Sequence, residues 1–289
     1  MKTFFRQIVL IPAALGLALL PARAQVAPAA TPPAANPTAV AASYGDTDNF
    51  TIRLGAFFLS SIRTTLSLTD SAGKGGQELD FKKDLGGSDS LNVFRADSEW
   101  RFAARHKVQL AYFDLNRNAS RVIDKQISWG DQTYPVNTTI NTQFRSTVYK
   151  LNYGYALYRN DTNTQEICGL IGFHISAFKT SLSSATSGKA EGVSVTAPLP
   201  VFGLEWKARL TDQLTSFVSY QYFGLTLDSK YQGNLSDFQA LLDYSLGGNW
   251  NVGAGYNRFT TRASVKGDNL KLTFRHNYNG LMLFVSTSF

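Results

Sequence analysis

The chain has 289 residues, a formal net charge of +7, one cysteine and three histidines, with 20 Phe, 13 Tyr and 23 Gly. A single cysteine excludes an intramolecular disulfide, and histidines this far apart exclude a Cys/His metal cluster, so neither metal nor cofactor is expected. Basic residues are scattered rather than gathered in one patch, which argues against nucleic acid as a partner.

The first stretch, MKTFFRQIVLIPAALGLALLPARAQ, carries Lys2 and Arg6, then an apolar run from Ile8 to Leu20, then Ala22-Arg23-Ala24. These are the n-region, h-region and small-residue cleavage site of a secretory signal peptide, which we assign to residues 1–24. The apolar run, about 13 residues, is too short to span a bilayer as a helix. Its removal takes Lys2, Arg6 and Arg23 with it and lowers the formal net charge from +7 to +4. Residues 25–43, QVAPAATPPAANPTAVAAS, lack charge and aromatics and cannot bury enough to offset their ordering entropy. They read as a Pro/Ala-rich periplasmic linker. Residues 44–289 are left as one large domain, with no later run of 18 apolar residues that could form a transmembrane helix.

That domain alternates. In NVFRADSEWRF, Phe94, Ala96, Trp100 and Phe102 oppose Arg95, Asp97, Glu99 and Arg101; in VFGLEWKARL, Phe202, Leu204, Trp206, Ala208 and Leu210 oppose Glu205, Lys207 and Arg209. DFQALLDYSL sets Phe238, Leu242 and Tyr244 against Gln239 and Asp243, and WNVGAGYN sets Trp250, Val252 and Tyr256 against Asn251 and Asn257. Period two predicts strands with two chemically distinct faces. We place them at 50–60, 90–102, 107–116, 143–158, 165–180, 199–210, 214–228, 234–246, 250–262 and 272–289. Most exceed the soluble norm of about 5–6 residues, and all can supply the ~9–11 that cross a bilayer at a tilt. Short connections near 103–106, 159–163, 211–213 and 247–249 alternate with mostly longer ones at 61–89, 117–142, 181–198 and 263–271, the exception being a brief KYQGN at 229–233. An even strand number, short turns at one end and longer loops at the other predict an all-β, antiparallel up-and-down transmembrane barrel in a bacterial outer membrane. Ten strands fit best; eight is the alternative, reached if 107–116 and 250–262 are miscounted. A soluble sandwich is the competing fold.

The ending GLMLFVSTSF alternates too, with Leu281, Leu283, Val285 and Phe289 on one face. In a barrel these face lipid, with Phe289 at the periplasmic interface. The pattern resembles the C-terminal signal by which outer-membrane barrels are recognised by their assembly machinery. Further stretches, ELDFKKDLGG, FRADSEWRFAARHKVQLAYFDLNR, ISWGDQTYP, YKLNYGYAL and YNGLMLFVSTSF, resemble a proteobacterial group of small outer-membrane β-barrel proteins. That resemblance implies the fold and no assigned activity.

The expected interior set is Arg53, Arg95, Asp97, Glu99, Arg101, Lys150, Asn152, Glu166, His174, Glu205, Lys207, Arg209, Gln221 and Asp243. Both signs are present, as buried charge requires. The expected lipid-facing and interface aromatics are Trp100, Phe102, Trp206, Tyr244, Trp250, Tyr256 and Phe289, with Tyr149, Tyr153 and Tyr155 beside them. The charged face predicts an interior network in a largely filled barrel with a structural or surface role. The alternative is a narrow porin or gated channel for small polar solutes, and a hydrolase acting on lipid A or peptide is third. His174-Ile-Ser176 faintly resembles the His-x-Ser pair of lipid A deacylases but points into the lumen. An omptin-like rim site would need His276 to meet Asp80, Asp84, Asp89, Asp124, Asp131 or Asp268. His106 and His276 read as surface or interface residues. Trp129 and Tyr134 in the second long loop read as a binding surface, and Lys82 and Lys83 as residues near lipopolysaccharide phosphates. Outer-membrane lipid, lipopolysaccharide and the assembly machinery are the expected partners.

Overall fold

The computed structural model describes residues 5–9, 49–70, 77–129, 132–184, 186–227, 231–266 and 270–289. The proposed linker, 25–43, and all but five residues of the proposed signal peptide lie outside them. Ten long strands build the wall: β1 (Phe50–Asp70), β2 (Leu91–Ala103), β3 (His106–Val122), β4 (Thr139–Arg159) and β5 (Gln165–Ser183). Then come β6 (Ala190–Arg209), β7 (Leu214–Leu227), β8 (Tyr231–Gly247), β9 (Trp250–Lys266) and β10 (Leu270–Ser288). Each pairs antiparallel with the next, and β10 pairs back with β1 from Leu270↔Asp70 to Ser288↔Thr51, so the sheet closes on itself. At the seam Phe50 and Phe289 exchange backbone hydrogen bonds of 3.1 and 2.8 Å. The strand number is ten, with β3 and β9 both present.

Several strands outrun their sequence limits at the end bearing the longer loops. There β1 reaches Asp70, β3 reaches Val122 and β6 starts at Ala190. Above the apolar belt the outward faces turn polar. In β3 the inward face does too, with Arg117 set among the outward Asn116, Asn118 and Ser120, so alternation no longer reports it. By contrast β1 and β6 keep apolar inward residues such as Ile62, Leu66, Val193 and Val195, and so alternate in the opposite sense to the belt. In β1 a bulge at Ser60 breaks the register against Asn279 and Gly280. The inward set therefore passes from Arg53, Phe57 and Leu59 to Ile62, Thr64 and Leu66.

Strand β2 stops at Leu91, while its neighbours continue outward. Residues 77–90 fill the missing wall. Leu79–Asp80 pairs with Thr65 and Leu66 of β1, and Ile62 N–H donates to the Asp89 carbonyl at 2.8 Å. The Asp80 carboxylate accepts from the Lys82 and Lys83 amides at 2.9 and 3.0 Å, closing a tight turn that aims Phe81 and Leu85 inward. Gly87 is required there, because a Cβ would lie 1.9 Å from the Phe81 ring.

The next loop folds in as well. Its small hairpin, Ile127–Trp129 against Gln132–Tyr134, buries Trp129 and Tyr134 with Leu66, Phe81, Phe144, Leu182, Val193, Leu272 and Phe274. Trp129 and Tyr134 are thus parts of an apolar plug rather than a binding surface, since the inside of the barrel is where two aromatic loop residues lose the most water.

One stretch of wall is unlike the rest. Strand β6 pairs with β5 from Ala190 to Ala208 but with β7 only from Phe202 to Arg209. Its outer half, which contains Pro198 and Pro200, faces β7 unpaired, and Phe5–Val9 runs parallel along Gly192–Thr196. Prolines, lacking an N–H, suit such an edge.

Candidate functional site: the charged lumen

The exterior carries a broad apolar band. Trp100, Phe102, Trp206, Tyr244, Trp250, Tyr256 and Phe289 are all exposed, Phe289 by 62%. On β8 the band runs from Phe238 through Leu242 to Leu246. Eight residue steps at about 3.4 Å and a tilt near 40° give a height of ~21 Å, close to the ~25 Å of membrane barrels. A patch of this extent on a closed barrel is a lipid-contacting surface. The protein is an integral outer-membrane β-barrel.

The lumen is layered. Nearest the short turns, Lys107 is fully buried. Its ammonium contacts Glu205 directly, Glu99 at 3.3 Å and Glu166 at 3.7 Å. Its stem fits because position 154 is glycine, where a Cβ would sit 2.9 Å from the Lys107 Cγ. Glu166 also accepts from Arg101 at 2.6 Å and from Arg159. Gln109 bridges Glu99 and Glu205, donating to each at 2.9 Å. On the opposite wall Arg53 meets Asp243 at 3.6 Å and lies 4.7 Å over the Phe217 ring, with Lys207 5.5 Å from the same ring. Arg209, half-buried, ends β6 at the rim of this layer.

The middle layer is built the same way. Arg95 donates to both oxygens of Asp97, at 2.8 and 2.7 Å. Lys150 pairs with Asp237, whose other oxygen accepts from Asn257 at 2.6 Å. His174 Nε2 lies 2.6 Å from Gln221 Oε1 and 3.9 Å from Asp237. Between the two layers a cavity of about 70 Å³ is lined by Arg53, Arg95, Glu99, Lys150, Glu205 and Asp237 among others. That polar space has room for a few waters.

Above it the lumen is aromatic. Phe57 meets Phe113 edge-on at 6.0 Å and Tyr278 at 5.9 Å, and Phe259 stacks on Tyr278 at 4.8 Å. His276 lies in this cluster, fully buried, with Phe144 at 5.3 Å and Thr64 Oγ1 at 3.0 Å from Nδ1. It is therefore not a surface or interface residue: its even-numbered position on β10 faces inward, and the plug shuts that level off from water. The rim carboxylates go elsewhere. Asp80 and Asp84 are tied into their loop turn, Asp89 to Lys82, and Asp124 to Arg121 at 3.3 Å, while Asp131 and Asp268 lie outside the described residues. His106 sits on the outer wall, with Nδ1 2.6 Å from Tyr153 OH. His174 and Ser176 both point inward and are buried, but His174 is engaged by Gln221.

Lys107, Gln109, Asp237, Arg117 and Arg159 belong to the lumen without being singled out from sequence, and Asn257, placed on the polar face, was left out of the interior set. Lys107, Gln109 and Asp237 had a signal, since Lys107 and Gln109 alternate with Val108 and Leu110, and Asp237 flanks the outward Phe238. Arg117 lies above the belt and Arg159 past a register shift at Ala156–Tyr158, where parity fails.

No protein-family model and no curated protein sequence matches this chain. Among solved structures, the outer membrane protease OmpT from Escherichia coli is similar at a TM-score of 0.48 and 12% identity, over 83% of this chain and 97% of that one. The outer membrane protein OprG from Pseudomonas aeruginosa is similar at a TM-score of 0.36 and 12% identity, over 84% and 96%. The attachment invasion locus protein Ail of Yersinia pestis is similar at 0.34 and 11%, over 81% and 99%. These likenesses carry no inference about activity.

Proposed function

We propose that this protein is a closed structural barrel whose outer wall and loop-bearing end are its working surface. The observation that supports this is the filling of the lumen at successive levels: two charged layers, an aromatic layer, then the plug of Phe81, Trp129 and Tyr134. A barrel near eight strands is just wide enough for side chains to fill, and ten lies close to that limit. The interior ion pairs hold strands on opposite walls together, as Lys107 of β3 does with Glu205 of β6. The outward alternation of Leu281, Leu283, Val285 and Phe289 supports a route to the membrane through the barrel-assembly machinery.

Planar-bilayer recording of the refolded barrel tests this reading. Silence is expected from protein shown to be folded by its heat-dependent gel mobility. Discrete conductance steps whose ion selectivity changes in Arg95→Ala and Glu205→Ala would replace it with a narrow channel lined by the charged face.

A further inference from the structure

The outer wall carries one surface that the closed-barrel reading does not explain. On β9 the outward residues after Tyr256 are Arg258, Thr260, Arg262, Ser264 and Lys266; on β10 they are Asn279, Asn277, Arg275, Thr273 and Lys271. Arg262 stands directly across the ladder from Arg275, and Lys266 from Lys271. Strand β1 adds Arg63 opposite Asn277. All six cations are exposed, and among the described residues no carboxylate shares the outward face of these three strands at this height. Arg63 reaches Asp80 only at 3.9 Å. Among the described residues, Arg258, Arg262 and Arg275 have no ion-pair or hydrogen-bond partner.

Like charges directly opposite each other on a sheet repel, so two such pairs with no intervening acid are unfavourable in the protein alone. The far wall shows the ordinary arrangement, with Arg145 of β4 holding Asp114 of β3 through two 3.0 Å contacts. The height of the strip is also specific. Arg258 pairs across the ladder with Phe238, at the top of the apolar band, and Arg262 lies four residues further, about 10 Å along the strand after allowing for tilt. That interval is the headgroup layer. Arginine forks suit phosphate oxygens, which can bridge two guanidiniums and cancel their repulsion.

We propose that the outward face of β1, β9 and β10 is a binding site for the phosphate groups of a phosphorylated glycolipid in the outer leaflet, with Arg258, Arg262 and Arg275 as its principal ligands. The acyl chains lie along Tyr256, Leu281 and Phe58 below, and the phosphates sit between the arginine rows.

Thermal unfolding of the full refolded barrel in neutral detergent tests the site, with bisphosphorylated lipid A, the same lipid dephosphorylated, or inorganic phosphate added. The bisphosphorylated lipid is expected to raise Tm and the dephosphorylated one not to. The triple variant Arg258→Gln/Arg262→Gln/Arg275→Gln should lose the shift, while Lys82→Gln/Lys83→Gln, on the loop, should keep it. Without lipid the triple variant should melt at or above the parent temperature, because the like-charge repulsion is gone. A full shift in the triple variant, or an equal shift with dephosphorylated lipid, overturns the proposal. An equal shift with inorganic phosphate overturns the glycolipid assignment and leaves a site for free phosphate. If the triple variant does not fold, Arg262→Gln alone should show a reduced shift, and an undiminished one refutes the site.

Discussion

Replacing Lys107 by methionine removes a charge and keeps the stem that packs past Gly154. Three carboxylates surround the lost ammonium, but they do not fail together. Glu166 retains Arg101 and Arg159, and Glu99 and Glu205 share the Gln109 amide. About one negative charge is left uncompensated in a buried layer, which sets the cost at about 3–5 kcal/mol, the range for breaking one buried pair rather than three. Adding Glu205→Gln removes that charge, and the double variant should return to within about 2 kcal/mol of the parent. Urea unfolding of the barrel in lipid vesicles, followed by tryptophan fluorescence, reads both quantities. Lys107→Met within about 1 kcal/mol of the parent, or a double variant no better than the single, would refute the claim that this layer is a tightly coupled network.

Trp129→Ala should cost about 3–5 kcal/mol and unseat the hairpin, seen as new trypsin cleavage after Lys125. Gly87→Val should displace Phe81 and give the same cleavage without touching Trp129. Burial, with the Glu191 charge second, pushes the Tyr134 phenol from 10.0 up to about 12, and its hydroxyl donates to the Leu182 carbonyl at 3.2 Å. A raised folded value stabilises the barrel fully below pH 10 and is lost as pH climbs from 10 toward 12. Tyr134→Phe should therefore cost about 1 kcal/mol at neutral pH and flatten the alkaline part of the stability curve.

The wall was legible wherever one face meets lipid. VFGLEWKARL declares its two faces because Trp206 must touch acyl chains while Glu205 and Lys207 must not. Legibility ends where that contrast ends: Arg117–Val122 is polar on both faces, so β3 was read six residues short. Residue type gives no parity warning of the bulge at Ser60, which exchanges inside for outside in the upper half of β1. The plug was hidden for another reason. Trp129 and Tyr134 look like any exposed loop aromatics until the loop's path is known, and that path depends on the early stop of β2, which leaves a gap for residues 77–90 to close. The arginine strip was visible residue by residue, but only the β9–β10 register sets Arg262 against Arg275.

The closing seam bears on how fast the barrel can form. Nine of its ten ladders join neighbours along the chain, so each can form as a hairpin. The tenth brings Thr51 to Ser288, whose hydroxyls meet at 3.0 Å across 237 residues. Loop-closure entropy makes that contact about 3 kcal/mol harder to form than a ten-residue turn. The β1–β10 ladder, from Leu270↔Asp70 to Ser288↔Thr51, is as long as any in the wall. A ladder unsurpassed in length thus stands where chain entropy resists most, and zipping that single seam is the step expected to limit the rate of closure.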